Sequence, residues 1–88
     1  MTSTRWALVT GATAGIGESF TRLLAAKGYN VALVARDEAR LHERAGALRE
    51  KYGVQTFVLP TDLATEAGCK AVEDYISTYP IEVLINNA

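Results

Sequence analysis

An apolar run, Trp6-Ala7-Leu8-Val9, passes directly into Thr10-Gly11-Ala12-Thr13-Ala14-Gly15-Ile16-Gly17, and this junction constrains the fold more than any other stretch. Glycines at 11, 15 and 17 remove Cβ where a strand must turn sharply into a helix. They also let the backbone approach a pyrophosphate and allow close packing of helix on strand. The helix that follows presents unpaired N–H groups at its N-terminus, where an anion can bind. An ordinary tight strand-to-helix turn also recruits glycine, so the turn takes its meaning from its surroundings. Its Gly-x-x-x-Gly-x-Gly spacing is longer in the middle than the common Gly-x-Gly-x-x-Gly fingerprint. No Gly-Lys-Ser/Thr follows, which argues against a nucleoside-triphosphate loop. The expected ligand is a dinucleotide.

With 88 residues the chain forms one small domain at most, burying about 60 to 70% of its extended-chain surface. Nine basic and ten acidic residues are interspersed to a net charge of -1, leaving neither a broad basic field for nucleic acid nor a polybasic stretch for a membrane. An anion must therefore be bound locally. The single cysteine, Cys69, excludes an internal disulfide, and with one histidine the chain offers no zinc constellation. No apolar run approaches 18 residues and no long apolar segment precedes the first strand. The expectation is a cytoplasmic protein without membrane or nucleic-acid partners.

Four apolar runs, Trp6 to Thr10, Asn30 to Ala35, Gln55 to Leu59 and Glu82 to Ile85, are rich in Val, Ile and Leu, as strands covered on both faces are. Three helical patterns separate them. The first places Ile16, Phe20, Leu23 and Leu24 on one stripe and stops at Gly28. The second begins at a capping Asp37, repeats Leu41, Ala45, Leu48 and Tyr52, and ends at Gly53. The third starts near Thr65 and repeats Ala67, Ala71, Val72, Tyr75, Ile76 and Tyr79 before Pro80. Right-handed crossovers then put the first two helices on one face of a parallel sheet and the third on the other. The expected fold is α/β, the first half of a doubly wound, Rossmann-type parallel sheet in strand order 3-2-1-4. Its crevice at the strand carboxyl ends falls at the glycine turn.

At this point the chain resembles the N-terminal half of a short-chain dehydrogenase/reductase. Three motifs carry the resemblance in order and spacing: the turn Thr10-Gly11-x-x-x-Gly15-x-Gly17, Asp62-Leu63 after the third strand, and Asn86-Asn87-Ala88 closing the fourth. All 88 residues fall within it. The resemblance implies a cofactor site built from Gly11, Thr13, Ala14, Gly15, Ile16, Gly17, Arg36, Asp62, Leu63, Asn86 and Ala88. In it Asp62 meets the adenine amino group with the Leu63 backbone alongside, and Asn86 and Asn87 bracket the cofactor ribose and brace the central sheet. Asp62 in an Asx-turn and the asparagines as strand-end turn residues are the plainer readings. Gly17→Val is expected to damage cofactor binding more than folding.

Arg36 bears on cofactor choice. Relatives that use NAD carry an acidic acceptor for the ribose hydroxyls at the end of the second strand, and the matching position here is Ala35. The guanidinium of Arg36 can instead pair in bidentate fashion with a 2′-phosphate, which favours NADP over NAD. A solvated arginine beside Asp37 is the plainer reading. Position 14 is Ala where many NADP-using relatives carry a second basic residue. Thr13 is a further hydroxyl donor for the phosphate. His42 reads as a partly exposed helical residue, Cys69 as packed, and Trp6, Tyr52, Tyr75 and Tyr79 as core and core-edge aromatics.

The family's catalysis needs a tyrosine followed by lysine at the fourth position, with a serine. Here Tyr29, Tyr52, Tyr75 and Tyr79 are followed at that distance by Leu33, Thr56, Tyr79 and Val83. No catalytic or metal-binding residue is therefore assigned. The resemblance implies the cofactor half of an NADP(H)-dependent oxidoreductase acting on a small carbonyl or alcohol, such as a ketone or 3-oxoacyl group, within a homo-oligomeric parent whose catalytic half lies outside these residues. The 88 residues alone are expected to be inactive. A stand-alone NADP-binding or regulatory module and a nonfunctional fragment remain the alternatives.

Overall fold

The computed structural model describes residues 5–87. Strand β1 (Trp6–Thr10) leads to helix α1 (Gly15–Ala26), then β2 (Asn30–Ala35), α2 (Glu38–Tyr52), β3 (Thr56–Pro60), α3 (Glu66–Thr78) and β4 (Ile81–Ile85). The four strands form one parallel sheet in the order β3-β2-β1-β4. The last two strands each differ by one residue from the boundaries read in the sequence, and the order is the doubly wound one.

The two central strands are buried on both faces, and their alternate side chains feed two cores. Ala7, Val9, Val31 and Leu33 pack against Leu24, Ala25, Leu41, Ala45 and Leu48 from α1 and α2. Leu8, Ala32 and Val34 point the other way, onto Val72 and Tyr75 of α3. A fully buried residue such as Leu41 contributes roughly 2–5 kcal/mol against truncation to alanine. None of the helices among the described residues is long and apolar enough to cross a membrane.

The helix signals differ in how well they survive. Asp37 caps α2 by accepting the Arg40 N–H at 3.1 Å, and Gly53 closes the helix with a left-handed φ of 70°. Thr65 caps α3 through the Gly68 N–H at 3.0 Å. The expected stripe on α1 is corrected: Ile16 and Leu23 are 68% and 50% exposed. Leu24 is buried and Phe20 packs against the core as expected, and Gly17, Thr21 and Ala25 take the remaining places against the sheet. The small residues bring the helix axis close, and Thr21 satisfies its hydroxyl on the Glu18 carbonyl at 2.6 Å. On α3, Ala67 is exposed and Tyr79 lies beyond the last turn. Cys69 is exposed rather than packed, its thiol directed at the Leu63 carbonyl at 3.2 Å. Exposed His42 sits one turn from Glu38, 3.5 Å away.

Trp6 and Tyr52 are half-buried, Tyr75 is buried, and Tyr79 is exposed. Tyr75 stacks on Phe57 at 4.7 Å between ring centroids and lies 4.5 Å from Tyr79. Burial, and then the neighbouring Tyr79, push the Tyr75 phenol above its ordinary value of 10.0.

Two glycines inside helices separate packing from propensity. A Cβ on Gly68 would collide with the Asp62 carbonyl oxygen and stand 3.0 Å from the Thr61 hydroxyl, whereas one on Gly46 would meet only the Arg49 guanidinium at 3.7 Å. Gly46→Ala is expected to stabilise the fold by about 0.5–1 kcal/mol, as helix propensity dictates, and Gly68→Ala to destabilise it by about 1 kcal/mol or more. Buried Asn30 makes a second sharp case, because its Oδ1 accepts the Gln55 N–H at 2.9 Å where β3 begins. Asn30→Ala is expected to cost about 1–3 kcal/mol through the stranded donor. Urea unfolding of the three variants beside the wild-type chain checks all three signs.

Candidate functional site

The carboxyl ends of β1, β2 and β3 open onto a cleft of about 720 Å³. Its walls bring together Gly11, Thr13 and Ala14 of the glycine turn with Ala35 and Arg36 at the end of β2. Asp37 and Arg40 from the start of α2, Thr61 to Ala64 after β3, and Asn87 after β4 complete it. Segments far apart in the chain thus meet at the topological switch point, where doubly wound sheets bind their ligands.

The glycine turn is held from beneath. Gly11 and Gly15 have φ of 62° and 58°, a region that L side chains avoid. A Cβ on Gly17 would run into the Gly11 carbonyl oxygen and lie 2.9 Å from Asn87 Nδ2. A Cβ on Gly11 would lie 2.7 Å from the Asn87 carbonyl oxygen. The hydroxyl of Thr10 accepts the Asn87 N–H at 2.8 Å and donates to Asn86 Oδ1 at 3.1 Å, tying the end of β1 to the end of β4. The expectation for Gly17→Val therefore changes: the new side chain meets the protein's own turn, so folding is hit first.

Helix α1 differs from the other two at its start. Its N-cap is Ala14, extended in backbone and without a side-chain cap, whereas α2 and α3 are capped by Asp37 and Thr65. Ala14 lines the cleft, so the N-terminal end of α1, whose dipole favours an anion, adjoins it.

On the opposite wall stand two arginines. Arg36 is exposed, and among the described residues no carboxylate pairs with its guanidinium or with that of Arg40. Asp37, between them in sequence, spends its Oδ1 on the Arg40 N–H, so the nearby negative charge is engaged with the α2 N-terminus. Asp62 Oδ1 accepts the Ala64 N–H at 2.9 Å, the Asx-turn geometry, while its backbone carbonyl holds the Thr65 hydroxyl at 2.8 Å. The turn role and a place on the cleft wall coexist in one residue.

Of the residues named from sequence, Gly11, Thr13, Ala14, Arg36, Asp62 and Leu63 line the cleft. Gly15 and Ile16 line a separate hollow on the α1 side with Ser19, Phe20 and Leu23. Gly17 is buried beneath the turn. Asn86 faces the α3 side with Thr10, Cys69, Val72 and Leu84. Ala88 lies outside the described residues. Sequence reasoning did not single out Arg40 or Thr61, which also line the cleft. Arg40 follows Arg36 by four residues across the Asp37 cap, so the first turn of α2 carries it to the same wall. Among the described residues no group of three or more His, Cys, Asp or Glu side chains could hold a metal.

Comparison with known proteins agrees with this geometry. The chain is 45% identical over 85 residues to a very-long-chain 3-oxoacyl-CoA reductase of Scheffersomyces stipitis, covering 94% of this chain and 25% of that protein. Among solved structures, a short-chain dehydrogenase from Sphingobium yanoikuyae in complex with NADPH superposes with a TM-score of 0.92 at 40% identity, over 96% of this chain and 33% of that one. A bulky-bulky ketone specific alcohol dehydrogenase from Comamonas testosteroni gives a TM-score of 0.91 at 38% identity, over 96% and 34%. The chain thus spans about a quarter to a third of the length of these relatives. The family described as short chain dehydrogenase matches residues 5–88, and with that match the glycine turn, the parallel sheet and the cleft at its switch point have one explanation: the chain belongs to the short-chain dehydrogenase family.

Proposed function

We propose that these residues form the NADP(H)-binding part of an oxidoreductase that transfers hydride between the nicotinamide and a carbonyl or alcohol. The observation that carries the reading is the pairing, across one cleft, of a helix start without a side-chain cap with two arginines that have no carboxylate partner among the described residues. The α1 N-terminus and the turn amides suit a pyrophosphate. Arg36 and Arg40 suit the 2′-phosphate that distinguishes NADP from NAD, and they replace the basic residue missing at Ala14. The Asp62 and Leu63 wall suits the adenine, and Thr13 adds a hydroxyl donor. Asn86, on the far side of the Thr10 tie, acts as a brace for the sheet end rather than from the cleft wall.

The cofactor supplies the hydride chemistry once bound, while this chain contributes binding and orientation. A ketone or 3-oxoacyl carbonyl is the substrate class, in keeping with the names of the S. stipitis and C. testosteroni relatives. Ile16 and Leu23 on α1 and Leu84 on β4 are exposed apolar side chains, and they suit surfaces that further protein covers in the assembled enzyme. No tyrosine here precedes lysine at the fourth position, so the 88 residues are proposed to bind without turnover.

Dissociation constants for NADPH and NADH, at fixed ionic strength, test the reading. Arg36→Ala is expected to weaken NADPH binding by about 10- to 150-fold and leave NADH nearly unchanged. Arg40→Ala is expected to act in the same direction by a smaller factor. Equal losses for both nucleotides would assign the arginines to a general structural or pyrophosphate role and remove the basis for NADP. NADPH oxidation with a ketone by the 88-residue chain would overturn the division between binding here and turnover elsewhere.

A further inference from the structure

We infer that Arg44, outside the cleft wall, is the residue that sets the glycine turn for its anion. This rests on the cofactor reading above. Arg44 lies on the second full turn of α2, and its Nε–H is directed at the Thr13 carbonyl oxygen at 3.4 Å and at Glu18 Oε2 at 3.2 Å. One donor therefore reaches both the loop and the first turn of α1 from the neighbouring helix. Its side chain is only 34% exposed and that of Glu18 21%, so solvent screens the contact incompletely.

Two consequences follow from this placement. The Thr13–Ala14 peptide is planar and trans, so anchoring the Thr13 carbonyl toward α2 fixes the direction in which the Ala14 N–H is presented. That matters because the adjoining residues are glycine or alanine at 11, 12, 14 and 15, with no side-chain cap to steady the start of α1. Glu18 would also set a bare carboxylate in the first turn of α1, where it competes with an incoming anion for the same dipole. Arg44 and Arg22 both pair with it, but only Arg44 also bonds the turn. Arg44 is thus a positioning residue, distinct from the specificity arginines, and its effect falls on the part of the ligand common to NADP and NAD.

Arg44→Met keeps much of the aliphatic stem and removes the donor, and Arg22→Ala removes the other partner of Glu18 without touching the turn. In the 88-residue chain Arg44→Met is expected to weaken NADPH and NADH by the same factor, roughly 3- to 10-fold, while Arg22→Ala stays within twofold of wild type. Backbone ¹⁵N order parameters over residues 12–16 are expected to fall in Arg44→Met and to stay unchanged in Arg22→Ala. A loss confined to NADPH would make Arg44 a direct phosphate contact, and an equal loss in Arg22→Ala would make the effect one of charge alone; either overturns the inference. Order parameters unmoved by Arg44→Met overturn it independently of any nucleotide. Wild-type protein that binds neither nucleotide overturns the cofactor reading instead, leaving the order parameters to decide the role of Arg44 in the turn.

Discussion

The close approach of Gly11, Gly17 and Asn87 is the contact on which the rest of the structure depends. The chain leaves β1 and must double back as α1 within a few residues, and the only way to do so at this density is backbone against backbone. Gly17 presents no Cβ to the Gly11 carbonyl, and Gly11 presents none to the Asn87 carbonyl. The Thr10 hydroxyl then locks the end of β4 beside the end of β1. A site assembled from four strand ends needs those ends at fixed heights, and this contact sets two of them. The expected effect of a bulkier residue at 17 reverses for the same reason, since the space it would fill belongs to the protein before it belongs to any ligand.

Electrostatics at the cleft follow from what each helix start does with its own orphan donors. Helices α2 and α3 each satisfy one of theirs, through Asp37 and Thr65, and in the process the Asp37 carboxylate is drawn to the helix rather than to its arginine neighbours. Helix α1 has Ala14 in the corresponding place and makes no such bond. The helix start that has no side-chain cap thus adjoins the cleft, and the arginines across from it add positive charge of the same sign as the N-terminal end of the helix dipole. Two positive poles at separated points give orientation as well as affinity to a ligand whose negative charges are likewise separated.

The sheet order and helix faces were legible because β1 and β2 are buried on both sides and read as unbroken apolar runs, which leaves the parallel arrangement little competition. The α1 stripe was legible at Phe20 and Leu24 and misleading elsewhere, because hydrophobicity also marked Ile16 and Leu23 while close packing selected Gly17, Thr21 and Ala25. A residue chosen for its smallness leaves no apolar signal. In the cleft, residues inside compact motifs, such as Gly11, Thr13 and Asp62, could be named from the chain. Arg40 and Arg44 could not, because each reaches its place only through the course of α2 beside the turn. Cys69 illustrates the converse: its position near the apolar side of α3 suggested packing, yet its thiol looks out toward the Leu63 carbonyl.

The unequal burial of the four strands has a consequence for how the domain opens. Residues 7–10 and 30–34 are buried without exception, whereas β3 and β4 contain no fully buried residue. Protection of backbone amides against exchange with solvent is therefore graded across the sheet, highest in the central pair and lowest at the two flanks. The flanking strands carry Thr61 to Ala64 and Asn87 into the cleft, while the turn and the arginines hang from the central pair. Part of the cleft thus rests on the slowest-opening unit of the fold and part on its fastest, so a ligand spanning both would draw its stabilising effect chiefly from the flanks it immobilises.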